Sequence, residues 1–481
     1  MVEDNGYETI IGLEVHAQLL TDSKMFCGCS TEYQNTPPNT HVCPVCLGMP
    51  GSLPVANRSA IECVMATALA LHCEIPEHTR FDRKNYFYPD LMKGYQISQY
   101  DAPIGRNGWV DIEVGGAHKH IGITRVHLEE DVAKSFHMGS YSLIDVNRSG
   151  VPLMETVSEP DIRSPEEARE YLVRLRSLLR YLGVSSGNME EGSFRCDANI
   201  SVRKRGAPQF GAKVEVKNMN SFRGVYRALQ YEQQRQVQVL EEGSWLRQET
   251  RGWIDEEGIT VAQRSKEYAD DYRYFPEPDL PPLVLSRSWV EDVDARMPEL
   301  PEARIERYTS TCGLSRQDAI TLVDTRSLAD FFDATVALTG EMKGRIVCNW
   351  LLGDVSRLIN ADAIEICDCA VTPQGLSELL ALIDQGSVSG PASKTVLDEM
   401  YRSGKSPAAI VEEKNLGQMS GSDEVLDVVR RVIADNPKAV DDFRQGKSQA
   451  ITFLTGQVMR MTRGRANPAV TRDLLEKELG D

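Results

Sequence analysis

No stretch of the 481-residue chain comes near the ~20 consecutive apolar residues that a membrane-spanning helix needs. The opening residues, MVEDNGYETI, offer neither a basic start nor an apolar core. No secretory leader is expected there, and the cytoplasm is the expected compartment. Familiar nucleotide and hydrolase motifs are also missing. Gly404-Lys405-Ser406 and Gly446-Lys447-Ser448 have Glu399 and Asp441 where a phosphate loop needs its upstream glycine. There is no GxGxxG after a strand, no GxSxG and no HExxH. These gaps argue against a P-loop ATPase, a dinucleotide oxidoreductase and a serine hydrolase. Histidine is absent after His137, all eight lying between His16 and His137, so imidazole chemistry belongs to the first domain.

What is present is the composition of a soluble globular protein, 41% hydrophobic and 26% charged, which excludes wholesale disorder. The length suggests about three domains at ~150 residues each. Lys and Arg number 53 against 71 Asp and Glu, giving a net charge of −18 and arguing against nonspecific nucleic-acid binding. Two windows depart from that average. Arg444 to Arg472 holds six cations (Arg444, Lys447, Arg460, Arg463, Arg465, Arg472) and no acid, and Ile200 to Arg227 holds seven cations against Glu215 alone. Such windows dock a polyanion or are simply solvated faces.

The eleven cysteines suit a reducing compartment. Four are grouped: Cys27-Gly-Cys29, thirteen residues, then Cys43-Pro-Val-Cys46. Two close thiol pairs on tight turns match a closed, structural four-thiolate zinc site, the alternative being unmetallated core cysteines. The first pair is CxC rather than CxxC, which makes the pattern less specific.

The texture of the chain changes near residue 290, from short strands and loops to helices almost throughout. The fold class expected is α+β: a mixed, largely antiparallel β domain with helices and a zinc knuckle (1–292), a helical domain (293–408) and a small helical tail (409–481). The stretch Phe275-Pro-Glu-Pro-Asp-Leu-Pro-Pro282 marks the boundary region. Ser164-Pro-Glu-Glu167 is a capping box that opens a helix ending at Gly183. A second long helix is expected over Val225 to Glu242.

Strand alternation exposes several polar faces. Ile11, Leu13, Val15 and Ala17 alternate with Gly12, Glu14, His16 and Gln18, which places Glu14 and His16 on one face. Arg195, Asp197, Asn199, Ser201 and Arg203 form the polar face of the next legible strand. After a Gly/Pro turn, Lys213, Glu215 and Lys217 form that of its hairpin partner. Further acids, Glu129-Glu130-Asp131 and Glu155, stand at strand-like ends. Carboxylates with one imidazole and nearby cations suit Mg2+ with a bound phosphate. Pattern alone does not distinguish this from solvent-facing strand residues.

Long phrases then resemble one family. Ile11-Gly-Leu-Glu-Val-His-Ala-Gln-Leu19, Arg83-Lys-Asn-Tyr-Phe-Tyr-Pro-Asp90, Lys93-Gly-Tyr-Gln-Ile-Ser-Gln99 and Asp145-Val-Asn-Arg-Ser-Gly-Val-Pro-Leu153 resemble the GatB family, which belongs to tRNA-dependent amidotransferases. So do Gly192-Ser-Phe-Arg-Cys-Asp-Ala-Asn199, Glu215-Val-Lys-Asn-Met-Asn-Ser-Phe222, Asp271-Tyr-Arg-Tyr-Phe-Pro-Glu-Pro-Asp279 and, in the tail, Gly456-Gln-Val-Met459. Met92 and Thr156 depart from the pattern without removing a candidate ligand.

The resemblance implies an ATP-dependent carbon–nitrogen ligase with glutamine as amido donor. ATP phosphorylates the side-chain carboxylate of Asp-tRNA(Asn) or Glu-tRNA(Gln). Ammonia from a glutaminase partner, GatA, then displaces phosphate, and a small third protein, GatC, completes a heterotrimer. The first domain is a "cradle", and the YqeY-like tail binds tRNA. Implied cofactors are ATP, Mg2+ and structural Zn2+. The expected Mg2+ shell is Glu14, His16, Glu130, Glu155 and Asp197, with Glu129 as second choice. Lys84, Arg195, Asn199 and Lys217 are expected at the phosphates, and Cys27, Cys29, Cys43 and Cys46 at zinc. The competing class is a non-catalytic, zinc-containing tRNA-binding scaffold, which has no use for inward carboxylates beside a basic groove.

Overall fold

Each strand of the central sheet has one apolar and one polar side, and the fold follows from covering only the first. In the computed structural model, which describes residues 6–264, 272–417, 422–444, 447–462, 466 and 468–480, contacts divide the chain into two units, Met1–Leu300 and Pro301–Asp481. Strands relevant to the site are β1 (Tyr7–Gln18), β2 (Asp82–Asn85), β3 (Tyr95–Ser98), β4 (Gly105–Val114), β5 (Ala117–Glu130), β6 (Pro152–Ser158), β7 (Phe194–Lys204), β8 (Val214–Met219), β9 (Glu249–Ile254) and β10 (Ile259–Arg264). Eight of them form one sheet in the order β10-β9-β8-β7-β1-β6-β5-β4. All neighbours are antiparallel except β8 and β9, which run parallel.

Three helices cover the apolar side: α1 (Arg58–Ala70), α2 (Pro165–Leu182) and α3 (Phe222–Glu241). Ile11, Leu13, Val15 and Ala17 of β1 are buried in one core with Ala168, Tyr171, Leu172 and Leu175 of α2 and Val225, Ala228 and Leu229 of α3. Each aliphatic side chain so buried contributes about 1.5–3 kcal/mol, so the sheet is pinned from this side and its register is fixed. The caps are local. Ser164 accepts the Glu167 N–H at the start of α2, Pro165 takes the first turn, and Gly183 ends it at φ 70°. The second helix starts earlier than its apolar stripe suggests, because Ser221 caps it through the Gly224 N–H.

The Pro-rich stretch folds back onto the first unit. Phe275 pairs with Arg83 of β2, and Leu283 with Thr79. In the second unit every described element is helical. Its last helices, Ser422–Asp435, Pro437–Arg444, Ser448–Met461 and Pro468–Gly480, share a core of Val425, Val429, Val432, Ile451, Leu454, Val458, Leu475 and Leu479. No described helix is long and apolar enough to cross a membrane.

Candidate active site

Antiparallel register places opposed residues on the same face of a sheet. On the face away from the helices, Arg195 of β7 lies opposite His16 of β1, His16 opposite Glu155 of β6, and Glu155 opposite His127 of β5. One row along, Asp197 lies opposite Glu14, and Glu14 opposite Val157. Two residues beyond His127, Glu129 returns to the same face.

The centre of this arrangement is tight. His16 Nε2 stands 3.2 Å from Glu155 Oε2 and 3.5 Å from Glu129 Oε1, and His127 Nε2 stands 3.5 Å from Glu155 Oε2. One ligand atom each from His16, Glu129 and Glu155 lies within 4.8 Å of the others, a spacing that could hold a metal ion. Glu129 and Glu155 are buried. Burial works against a charged His16, but the Glu155 hydrogen bond and the charges of Glu155 and Glu129 raise its pKa. Burial likewise pushes Glu129 up, and the Glu155 charge adds to it. Glu155 goes the other way: burial is outweighed by His127, His16 and Lys84, which hold it well below the usual carboxylate range. His127 is pushed down to about 4 by burial, so it is neutral at pH 7. A buried carboxylate left under-compensated next to a neighbouring carboxylate is the setting a cation completes.

The other expected residues divide into neighbours of this centre and one exception. Lys84 reaches it from β2 in the separate three-stranded sheet. Burial opposes its charge, but Glu129, Tyr274 and Glu155 keep its pKa raised, and its Nζ lies 4.9 Å over the Tyr272 ring. Arg195 donates to Asp131 Oδ2 at 3.1 Å. Glu14 accepts from Asn199 at 2.9 Å, and Asp197 accepts from Lys217. Lys217 also lies 3.5 Å from Glu215. Glu14 and Asp197 thus form a second acidic pair beside the first group, held by Asn199 and Lys217.

Glu130 is the exception. It shares the face of Val126 and Leu128, so it points away from His16 and binds Lys93 Nζ at 2.5 and 2.7 Å and the Ile97 N–H at 2.9 Å. The residue that joins His16 and Glu155 is Glu129. Alternation along Arg125-Val126-His127-Leu128-Glu129 carries that signal and also marks His127 as an inward residue. Asp131, buried among Arg195, Arg148 and Gln18, is not legible in the sequence as their partner. A consequence is testable by Mn2+ titration of the full chain. Glu129→Gln is expected to weaken Mn2+ binding by at least about tenfold, whereas Glu130→Gln leaves it within about twofold. The reverse order would restore Glu130 to the shell.

The cysteine group is the second such cluster. Single Sγ atoms of Cys27, Cys29, Cys43 and Cys46 all lie within 4.8 Å of one another, and the Cys43 N–H donates to Cys46 Sγ at 3.1 Å. The Cys27 hydrogen bond, against burial, pulls Cys46 down to about 4, whereas burial pushes Cys29 up to about 11. Four sulfurs at this separation fit a tetrahedral thiophilic cation.

Among the basic windows, Arg203 pairs with Glu8 at 2.7 Å and Arg227 with Asp255 at 3.2 Å. In the tail, Lys447 pairs with Asp442 at 2.6 Å and Arg472 with Glu476 at 3.0 Å. Arg463 and Arg465 lie outside the described residues, as does Asp271.

Comparison with known proteins fixes the family. A model described as the GatB/GatE catalytic domain matches residues 9–291, and one described as the GatB domain matches residues 330–479. The chain belongs to the GatB family. Among its relatives, the GatB protein of the aspartyl/glutamyl-tRNA(Asn/Gln) amidotransferase from Dehalococcoides mccartyi (strain CBDB1) is 55% identical over 486 aligned residues. The proteins of the same name from Carboxydothermus hydrogenoformans and Brevibacillus brevis are 52% and 53% identical. Each alignment covers 98% of this chain and 99% of the relative. The GatB catalytic-domain match contains both side-chain clusters, and the GatB-domain match contains the core of the last four helices.

Proposed function

We propose that this chain is the ligase component of a tRNA-dependent amidotransferase, converting Asp-tRNA(Asn) and Glu-tRNA(Gln) to Asn-tRNA(Asn) and Gln-tRNA(Gln). The observation that carries this reading is the buried His16–Glu129–Glu155 group, with Lys84 beside it and Arg195 and Lys217 on the same face. A side-chain carboxylate is a poor acyl donor because its oxygen is a poor leaving group. In the proposed reaction a carboxylate oxygen of the charged residue bonds to the γ-phosphorus of ATP as the bond to ADP breaks. Ammonia then attacks the acyl carbon, and inorganic phosphate leaves. The ammonia comes from glutamine hydrolysed by the glutaminase partner, GatA, and the small GatC protein joins the two.

The fitted donor set, one imidazole and two carboxylates, would hold Mg2+, which when bound supplies positive charge against crowded phosphate oxygens. The chain's own groups do the rest. Lys84 places a fixed cation beside Glu129 and Glu155, where phosphate oxygens would arrive. Asp131 holds the Arg195 guanidinium over the same face, so no side-chain reorganisation is needed as charge develops. Burial of Glu129 and Glu155 limits water there and strengthens these interactions. The four cysteines hold a structural Zn2+ away from the reacting atoms.

A scaffold without catalysis explains the cysteine cluster and the cationic tail, but it leaves two buried carboxylates beside an imidazole without a use. The two readings separate on ATP hydrolysis by the reconstituted complex. Stimulation by mischarged tRNA is expected, and its absence at saturating Mg2+ would overturn the ligase reading.

In this reading the tail, residues 409–481, grips tRNA through phosphate contacts that position it without reading bases. Truncation near Ala409 is expected to raise the KM for mischarged tRNA far more than it changes ATP or glutamine affinity. Filter binding across a salt series checks this, since lost phosphate contacts flatten the salt dependence. Equal affinities and equal salt slopes with and without the tail would contradict it.

A further inference from the structure

Lys24 is a buried cation without an acidic partner. It follows β1, is 1% exposed and ranks among the largest fully buried side chains. An ammonium has three donors. Here its Nζ donates to the His41 carbonyl at 2.8 Å and more weakly to the Val146 carbonyl at 3.4 Å. Among the described residues no carboxylate lies within 4.0 Å of it. The nearby Asp145 carboxylate accepts instead from the Asn39 and Asn147 N–H groups at 3.1 and 3.0 Å. Burying an ammonium on carbonyl dipoles alone costs several kcal/mol, so such groups are found paired with an anion.

The candidate anion is the cysteine cluster. A Cβ built on Gly150 would lie 3.6 Å from Lys24 Cδ and 3.7 Å from Cys46 Cβ, so the two side chains flank the same glycine. The Lys24 N–H donates to the Cys29 carbonyl at 2.9 Å, which ties its backbone to the first cysteine pair. The loop carrying the second pair closes over Lys24 through His41. Four neutral thiols would carry no charge for Lys24 to meet. Four thiolates around a divalent cation carry a net −2.

We propose that Lys24 is the built-in counter-cation of a metal–tetrathiolate centre at Cys27, Cys29, Cys43 and Cys46. This rests on the zinc reading above and deepens it. The cation offsets half of the excess negative charge in a low-dielectric site, which favours the loaded form. When the metal leaves and the sulfurs are reprotonated, the same ammonium is stranded, which penalises the empty form. Lys24 is therefore a positioning residue for charge rather than a ligand, and it makes loss of the metal costly to the fold around Met25–Asn57.

The test is competition for zinc between the full-length chain and a chromophoric chelator, with thermal melting at several free-zinc levels. Two variants are compared with the wild type: Lys24→Met removes charge and donors, and Lys24→Gln keeps a donor and removes only the charge. Both are expected to lose zinc to the chelator at roughly tenfold lower chelator strength. Chelation is also expected to lower their melting temperature less than that of the wild type, because no ammonium is stranded. Variants that recover the wild-type melting temperature only in excess zinc support the proposal too. Unchanged competition midpoints would overturn it and leave the zinc site standing. A melting temperature lowered equally at every zinc level would also overturn it, since that is the signature of packing alone. Wild-type protein that binds no zinc and no Co2+ would overturn the zinc reading itself.

Discussion

Glu155→Gln is expected to lower Asn-tRNA or Gln-tRNA formation by the assembled complex by roughly 10²–10³-fold, the scale of losing one preorganised charge at a reacting centre. Glutamine hydrolysis by the partner protein should survive at least in part. The substitution keeps the shape of the side chain and removes a charge that His16, His127 and Lys84 all stabilise. With that charge gone, His16 loses its nearest acceptor at 3.2 Å, and the cation-binding group keeps one carboxylate. His16→Ala removes the imidazole from the same centre and should behave alike. Raising Mg2+ should recover part of the loss if the defect is one of cation binding. Near-normal amidation by either variant at saturating Mg2+ would show that this group is not the site of carboxylate activation.

Stripping zinc, or replacing one of its ligands, should have the second large effect, on the fold rather than on a chemical step. Zinc bound by a closed four-thiolate site contributes on the order of 10 kcal/mol of apparent folding free energy. The segment it closes is stitched to the rest by few bonds, among them Met25 N–H to the Gly150 carbonyl at 2.6 Å and Asn57 N–H to the Met25 carbonyl at 2.9 Å. Cys46→Ser is therefore expected to lower the melting temperature of the first unit and to open residues 25–57 to protease, while the helical unit is unaffected. Elemental analysis of freshly purified, reduced protein should give one zinc per chain. Protein without zinc, or a Cys46→Ser variant with the wild-type protease pattern, would contradict this account.

Local features of the fold are legible in the sequence, and distant pairings are not. The two-sided β1 strand, the Ser164 cap and the Gly183 stop follow from short-range rules and need no partner. The start of α3 is obscured because Gly224 in its first turn looks like a breaker, whereas it is the donor that Ser221 captures. The parallel pairing of Val214–Lys217 with Glu249–Gly252 leaves no mark on either segment alone.

The same division runs through the site. That Glu14 and His16 share a face follows from a period of two. That His16 meets Glu155, 139 residues away, depends on a register that only the folded sheet sets. Preferring Glu130 to Glu129 overlooks an alternation that Val126 and Leu128 already display. Lys84 reaches the centre from a different sheet, and nothing in its own sequence neighbourhood says so.

The most direct test of the central claim, that this chain converts a side-chain carboxylate into an acyl phosphate at the His16–Glu129–Glu155 face, follows an oxygen atom. The complex is given ATP, glutamine and tRNA charged with aspartate labelled with 18O in its side-chain carboxylate, and the inorganic phosphate is examined by mass spectrometry. The account predicts one 18O atom per phosphate released with each amide formed, and no labelled phosphate from the Glu155→Gln complex. Unlabelled phosphate accompanying normal amidation, or full labelling with the variant, would contradict it.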